Sequence, residues 1–206
     1  MNNIDISTTK YAIFGGSFDP IHIGHLRLAK AAVDECGIDK LYLMPNYISP
    51  FKLDHKITST EDRVAMVKVA LGYCEAFDIS LYEVERECPS YTIDTLNHFR
   101  DELDGELYFI LGFDSVLDLE RWHLGPEIIS NYPLITGRRP GTGDEYGFQK
   151  IKEYRNKYKA RIEVLDVEPF KASSTEIREL IRTGGSTDGL LIPEVQEYIR
   201  EHDLYR

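Results

Sequence analysis

Apolar and polar positions along this chain follow two rhythms that keep exchanging places. Tyr11-Ala12-Ile13-Phe14 is a short aromatic and branched run of the kind that forms a buried strand. Leu26, Ala29, Val33 and Cys36 then recur at i, i+3, i+7 and i+10, which predicts an amphipathic helix. Lys40–Met44 reads as a second strand, and Asn46–Thr58 as a polar, proline-containing loop long enough to suggest binding. A capping box of Thr58 and Glu61 predicts the next helix, striped by Val64, Val67, Leu71 and Cys74. Phe77–Tyr82 is a third strand. After the break at Cys88-Pro89-Ser90, Ser90 or Thr92 caps a helix that turns Leu96, Phe99 and Leu103 inward. Leu107–Leu111 is wholly apolar, as a central strand would be, and it ends in Gly112-Phe113-Asp114.

The second half repeats the alternation. Trp122 follows on a short helix or turn, and Pro126–Ser130 reads as another. Tyr132–Thr136 is a fifth strand, stopped at Gly137-Arg138-Arg139-Pro140-Gly141. Ile151, Tyr154 and Tyr158 mark one helix face, and Arg161–Leu165 is a sixth strand. Beyond Pro169 the pattern is helical, through Ile177, Leu180 and Ile181 and then Ile192, Val195 and Ile199. This order predicts an α/β fold with a doubly wound, mostly parallel sheet, helices on both faces and a helical C-terminal end. With no repeat, low-complexity segment or linker, residues 1–206 are expected to form one domain, 173–206 being its helical part.

Composition narrows the partners. At 206 residues the chain can bury a sizeable core, and 42% hydrophobic with 29% charged residues is ordinary for a globular protein. A net charge of −11 argues against a nucleic-acid polymer but leaves room for a small anionic ligand, which responds to local charge. The polar start Met1–Lys10 lacks the apolar core of a signal peptide, and no apolar run nears the roughly 20 residues of a membrane span. Three scattered cysteines, at 36, 74 and 88, suggest neither disulfides nor a cysteine-bound metal and point to a reducing cytoplasm.

Candidate chemistry begins where the first strand passes into the first helix, at Phe14-Gly-Gly-Ser-Phe-Asp-Pro-Ile-His-Ile-Gly-His25. Ligands of open α/β sheets bind at such crossings, and a helix start offers unpaired N–H groups to an anion. His22 and His25, three apart in the first helical turn, can address one ligand together or be simply surface or capped histidines. They are too few for zinc without a nearby cysteine or a Glu-x-x-His. The segment is neither G-x-G-x-x-G nor a G-x-x-x-x-G-K-[ST] loop. Imidazoles beside glycines and a helix N-terminus instead suit a phosphate. A second such place is Ser173-Ser174-Thr175-Glu176-Ile177-Arg178: Ser173 and Glu176 make an ordinary capping box, and the hydroxyls with Arg178 also suit phosphate oxygens. Two anion sites suggest a polyphosphate held at both ends.

Together, Gly15-Gly16-Ser17-Phe18-Asp19-Pro20, His22-Ile23-Gly24-His25 and Ser173–Arg178 resemble the two signatures of the HxGH nucleotidyltransferases. Along nearly its whole length the chain is similar to the bacterial nicotinate-nucleotide adenylyltransferases of that superfamily. Pro45-Asn46, Pro89-Ser90-Tyr91-Thr92, Gly112-Phe113-Asp114, Trp122, Arg138–Gly141 and the ending Leu204-Tyr205-Arg206 carry that likeness. The resemblance implies adenylyl transfer from ATP to nicotinate mononucleotide with Mg²⁺, giving deamido-NAD and pyrophosphate. It implies that His22, His25, Lys52 and Arg178 act on the phosphates, with Ser173, Ser174 and Thr175 at the second signature. Gly15, Gly16, Ser17, Phe18 and Gly24 would line the ATP site, with Gly112 and Asp114 near the adenosine. Asn46, Tyr91, Thr92 and Trp122 would hold the nicotinate nucleotide. One departure stands out: the family has Pro-Pro-His-Lys where this chain has Ser49-Pro50-Phe51-Lys52, keeping the cation and losing the imidazole.

No nucleophile with a paired base stands out, so direct attack by the acceptor's own phosphate is expected. Nicotinamide mononucleotide or phosphopantetheine could be the acceptor instead, and a non-catalytic nucleotide sensor could share the fold. Lys150, Lys152, Arg155, Lys157 and Lys159 read as a solvated helix face. The oligomeric state is not legible.

Overall fold

The computed structural model describes residues 8–48, 57–138, 144–168, 170 and 172–206. Six strands, β1 (Lys10–Gly16), β2 (Lys40–Pro45), β3 (Phe77–Ile79), β4 (Glu106–Ile110), β5 (Leu134–Gly137) and β6 (Ile162–Leu165), form one sheet in the order β3-β2-β1-β4-β5-β6. Every neighbouring pair is parallel. The helices are α1 (Ile23–Cys36), α2 (Thr60–Ala70), α3 (Tyr82–Glu85), α4 (Thr92–Glu102), α5 (Phe113–Asp118), α6 (Gly125–Asn131), α7 (Asp144–Tyr158), α8 (Ser174–Arg182) and α9 (Pro193–Glu201).

Strand side chains alternate between two apolar layers, as the two-residue period of a strand requires. Ala12, Phe14, Leu41, Leu43, Ile110, Ile135 and Leu165 face α1, α2, α8 and α9. Ile13, Met44, Leu107, Phe109, Leu134 and Ile162 face α4, α5, α6 and α7. Because both faces are covered, Ala12-Ile13-Phe14 is buried without interruption. The doubly wound parallel sheet and the helical C-terminal end are as expected. The sheet order reverses between β1 and β4, and in this architecture the crevice at the carboxyl ends of those strands receives ligands.

Several local expectations are corrected. The third strand stops at Ile79, because Ser80 and Leu81 lead into the one-turn α3. The cap of α2 is Ser59, whose hydroxyl accepts from Asp62 N at 3.0 Å, in place of the Thr58–Glu61 pair. Tyr91 occupies the N-cap of α4 with no side-chain cap bond, so neither Ser90 nor Thr92 plays that part. α2 ends at Ala70, and its buried face is Arg63, Met66, Val67 and Ala70, one step off the predicted Val64 stripe. The fifth strand begins at Leu134, after Tyr132 has closed α6.

Candidate functional site

His22 forms the N-cap of α1, and His25 is its third residue. Each ring caps the other's backbone: His22 Nδ1 accepts from His25 N, and His25 Nδ1 accepts from His22 N, both at 3.3 Å. The pair is thus a capping box built from imidazoles, with its rings stacked 3.6 Å apart. With Nδ1 accepting, the proton of a neutral ring belongs on Nε2, which makes that atom a hydrogen-bond donor. Phe18 meets His25 edge-on at 5.3 Å, and Phe170 stacks on the other face of His22 at 4.9 Å. Gly24 is required here: an added Cβ would come 2.5 Å from the Phe170 ring. Phe18 itself is buried with φ +48°, a conformation that bulky residues rarely adopt and that surrounding packing must hold.

The two signatures, remote in sequence, are stitched together. Ser174 Oγ donates to Pro20 O at 3.1 Å, and Arg178 Nη1 donates to Asp19 O at 2.7 Å. Arg178 also donates to Thr175 Oγ1 at 3.2 Å and lies 3.8 Å from the Asp19 carboxylate. Ser173 closes the capping box with Glu176, so its side chain serves the start of α8. Asp19, 4% exposed, accepts from Tyr205 Oη at 2.7 Å through one oxygen and from Thr58 N at 3.4 Å through the other. Burial, then Asp19, holds the Tyr205 phenol well above the usual tyrosine range.

Beneath this loop lies Arg63, fully buried on α2. Its guanidinium donates to Ser17 O at 2.8 Å, Tyr47 O at 3.0 Å and Thr58 O at 3.2 Å. One side chain therefore ties the segments after β1, after β2 and before α2. Burial pushes the Arg63 guanidinium down, while the charge of Asp19 acts the other way.

Beside the crossing opens a pocket of about 290 Å³, lined by Gly15, Gly16, Ser17, Asn46, Glu83, Ser90, Tyr91, Thr92, Thr95, Trp122 and His123 over a floor of Ile13, Leu96 and Phe109. Among the described residues, Asn46 Oδ1 and Ser90 Oγ are buried there without a hydrogen-bond partner. Orphaned polar atoms at a cavity wall are what a polar ligand would satisfy. Tyr91, 40% exposed, meets the His123 ring at 4.7 Å at the mouth. Trp122 follows a short 3₁₀ segment whose Glu120 accepts from Lys157 and Tyr158 at 2.5 Å and from Lys150 at 3.0 Å. Those three donors, Lys157 foremost, hold the Glu120 carboxyl down to about 2 and anchor the Trp122 turn to α7. With Arg155 donating to Ile162 O at 2.5 Å, three of the basic residues of that helix face have structural partners, so the face is not simply solvated.

Of the residues singled out in the sequence, Gly15, Gly16, Ser17, Asn46, Tyr91, Thr92 and Trp122 line the pocket. His22, His25, Phe18, Gly24, Ser173, Ser174, Thr175 and Arg178 cluster around the crossing next to it. Asp114 is exposed on the first turn of α5, and Gly112 caps that helix; neither lines the pocket. Lys52 and Phe51, with Arg139–Gly141, lie outside the described residues. Sequence reasoning missed Glu83, Thr95, Ser115 and His123. Thr95 could have been found, because it follows Thr92 by three positions on one helix face. Glu83, in an acidic stretch beside Glu85 and Glu87, carried no distinguishing signal.

A family profile described as cytidylyltransferase-like matches residues 13–180. The chain is 38% identical to a probable nicotinate-nucleotide adenylyltransferase of Aeromonas hydrophila, covering 94% of this chain and 96% of that protein. It is 39% identical to a probable nicotinate-nucleotide adenylyltransferase of Clostridium tetani, over 96% and 99%. It is 35% identical to the nicotinate-nucleotide adenylyltransferase of Bacillus subtilis, over 95% and 98%. Among solved structures, Plasmodium falciparum nicotinic acid mononucleotide adenylyltransferase complexed with NaAD shares the fold, with a TM-score of 0.76 at 20% identity over 96% and 97% of the two chains.

Proposed function

This chain belongs to the cytidylyltransferase-like family and, within it, to the nicotinate-nucleotide adenylyltransferases, and from that premise we propose that it transfers the adenylyl group of ATP to nicotinate mononucleotide. The products are nicotinate adenine dinucleotide (deamido-NAD) and pyrophosphate, a step of NAD biosynthesis. The observation that carries the reading is the direct bonding of Ser174 and Arg178 to the loop before His22, beside a pocket with unpartnered polar atoms.

The acceptor's 5′-phosphate oxygen attacks the α-phosphorus of ATP in line. A new P–O bond forms as the bond to pyrophosphate breaks, so no protein nucleophile takes part. Such transfers depend on alignment and on neutralising phosphate charge. The Nε2 donors of His22 and His25 and the guanidinium of Arg178 are the groups at hand, with Ser174, Thr175 and the start of α8 at the pyrophosphate end. Lys52 would add a further cation. The stacked, mutually capped histidines are already oriented, so little reorganisation accompanies the reaction. Mg²⁺ would enter this site with the ATP phosphates as its main ligands; among the described residues no three His, Cys, Asp or Glu side chains converge to hold it. When bound, it neutralises phosphate charge. Tyr91 and Trp122 supply flat surfaces for a pyridine ring. The free Cys36, Cys74 and Cys88 support the cytoplasm as the place of work.

The test is pyrophosphate release with ATP and Mg²⁺ across nicotinate mononucleotide, nicotinamide mononucleotide and phosphopantetheine. Fastest release with the nicotinate acceptor is expected; none with any acceptor would leave a nucleotide sensor. His25→Ala is expected to lower turnover about a hundredfold to a thousandfold, and near-normal turnover would remove His25 from the mechanism.

A further inference from the structure

The capping box holds one atom of each imidazole and leaves the plane of the ring to its neighbours. A backbone bond of 3.3 Å to Nδ1 is long and acts as a hinge, and the last torsion of a histidine side chain has broad wells. For His25 the plane is set by three rings: Phe18 and Phe14 meet it edge-on at 5.3 and 5.8 Å, and His22 stacks on it. For His22 one stacking partner is His25. The other is Phe170, whose ring lies 4.9 Å away and 17° from parallel.

Phe170 comes from the segment between β6 and α8, three residues before Ser173, the N-cap of α8. The approach to the second signature therefore delivers a ring to His22, just as α8 delivers Ser174 to Pro20 and Arg178 to Asp19. The contact depends on Gly24. A Cβ there would lie 2.5 Å from Phe170 Cδ1 and 3.1 Å from His22 Cε1, so a larger residue would prise the two rings apart. Phe170 is also half-buried against the apolar layer of α1 and α8, and packing is the plainer role that a test has to separate from positioning.

We propose that Phe170 is a positioning residue for the transfer reaction: its flat face holds the imidazole plane of His22, and with it the direction of the Nε2 donor toward the phosphate on which charge develops. The inference rests on the adenylyl transfer proposed above. A donor aimed in advance needs no reorganisation at the moment of reaction, and one that swings on its hinge loses that advantage. Volume alone does not supply the effect. Leucine fills much of the space of Phe170 without a flat face, whereas tyrosine keeps the face.

The experiment measures the single-turnover rate of pyrophosphate formation, with ATP, Mg²⁺ and nicotinate mononucleotide saturating, in a double-mutant cycle of Phe170→Ala and His22→Ala. Phe170→Ala alone is expected to slow the step about tenfold, with KM for the acceptor unchanged, because His22 lies outside the acceptor pocket. Added to His22→Ala, it is expected to change the rate by less than about twofold, since the ring it positions is gone. A second loss as large as the first overturns the proposal and leaves Phe170 a packing residue. Phe170→Leu and Phe170→Tyr decide the matter even where Phe170→Ala does not fold: the leucine variant is expected to be slow and the tyrosine variant to match the wild type. A leucine variant as fast as the wild type, or a tyrosine variant as slow as leucine, also overturns the proposal. Those outcomes with an active wild type refute this inference alone, whereas no pyrophosphate from the wild type with any acceptor refutes the proposed reaction together with it.

Discussion

Arg63 follows Glu61-Asp62 and precedes Val64, and in the sequence it looks like any solvated arginine on a helix. In the fold it is fully buried and spends its guanidinium on three backbone carbonyls from three different segments. A planar fork of five donors can meet such a set, and an ammonium cannot. Arg63→Ala is therefore expected to cost about 3 kcal/mol or more, with Arg63→Lys recovering only part of it; urea denaturation measures both. An Arg63→Ala protein as stable as the wild type would show that the loops hold without it. The histidines teach the reverse lesson. Their spacing suggested a shared ligand, and the reciprocal capping that makes Nδ1 the acceptor and leaves Nε2 the donor emerged from backbone geometry.

Among the elements, the short turn that carries Trp122 is the least regular and the most constrained. It runs from the 3₁₀ segment at Leu119–Arg121, through Leu124 at φ +51°, into α6. Gly125 packs so closely that an added Cβ would stand 2.0 Å from Leu119 O, a backbone atom with no room to yield. Gly125→Ala should destabilise the protein by about 1–3 kcal/mol. It should also raise KM for the nicotinate acceptor more than KM for ATP, because the clash falls on Leu119 and Glu120, in the turn that leads into Trp122. Steady-state kinetics with each substrate varied in turn would show this, and equal effects on both constants would argue against a Trp122 role confined to the acceptor. The limits of β3, α2 and β5 shifted by a few residues where the turn into α3, the Ser59 cap and the end of α6 claimed the intervening positions.

At the scale of the whole molecule, the chain closes on itself at its first loop. Tyr205, near the C-terminus, donates to the buried Asp19, while Tyr198 on α9 donates to Asp62 on α2 at 2.9 Å. α8 and α9 thereby hold the second signature against the first. Removing the hydroxyl leaves the buried Asp19 carboxylate short of a donor. Tyr205→Phe is expected to lower stability by about 1–3 kcal/mol and to weaken ATP binding, measured by thermal denaturation and by nucleotide titration. Unchanged ATP affinity would mean that the tail stabilises the fold without shaping the phosphate site.

The sequence by itself determined six strands in a mostly parallel, doubly wound sheet, two helix starts suited to an anion and the identity of both signatures. These depend on local spacing, hydrophobic period and cap chemistry, which adjacent residues specify. It could not determine that Ser174 and Arg178 bond directly to Pro20 and Asp19, or that Arg63 lies beneath the loop. Those facts concern desolvation and contacts between residues far apart in the chain, and both arise only when the sheet and its two helical layers come together.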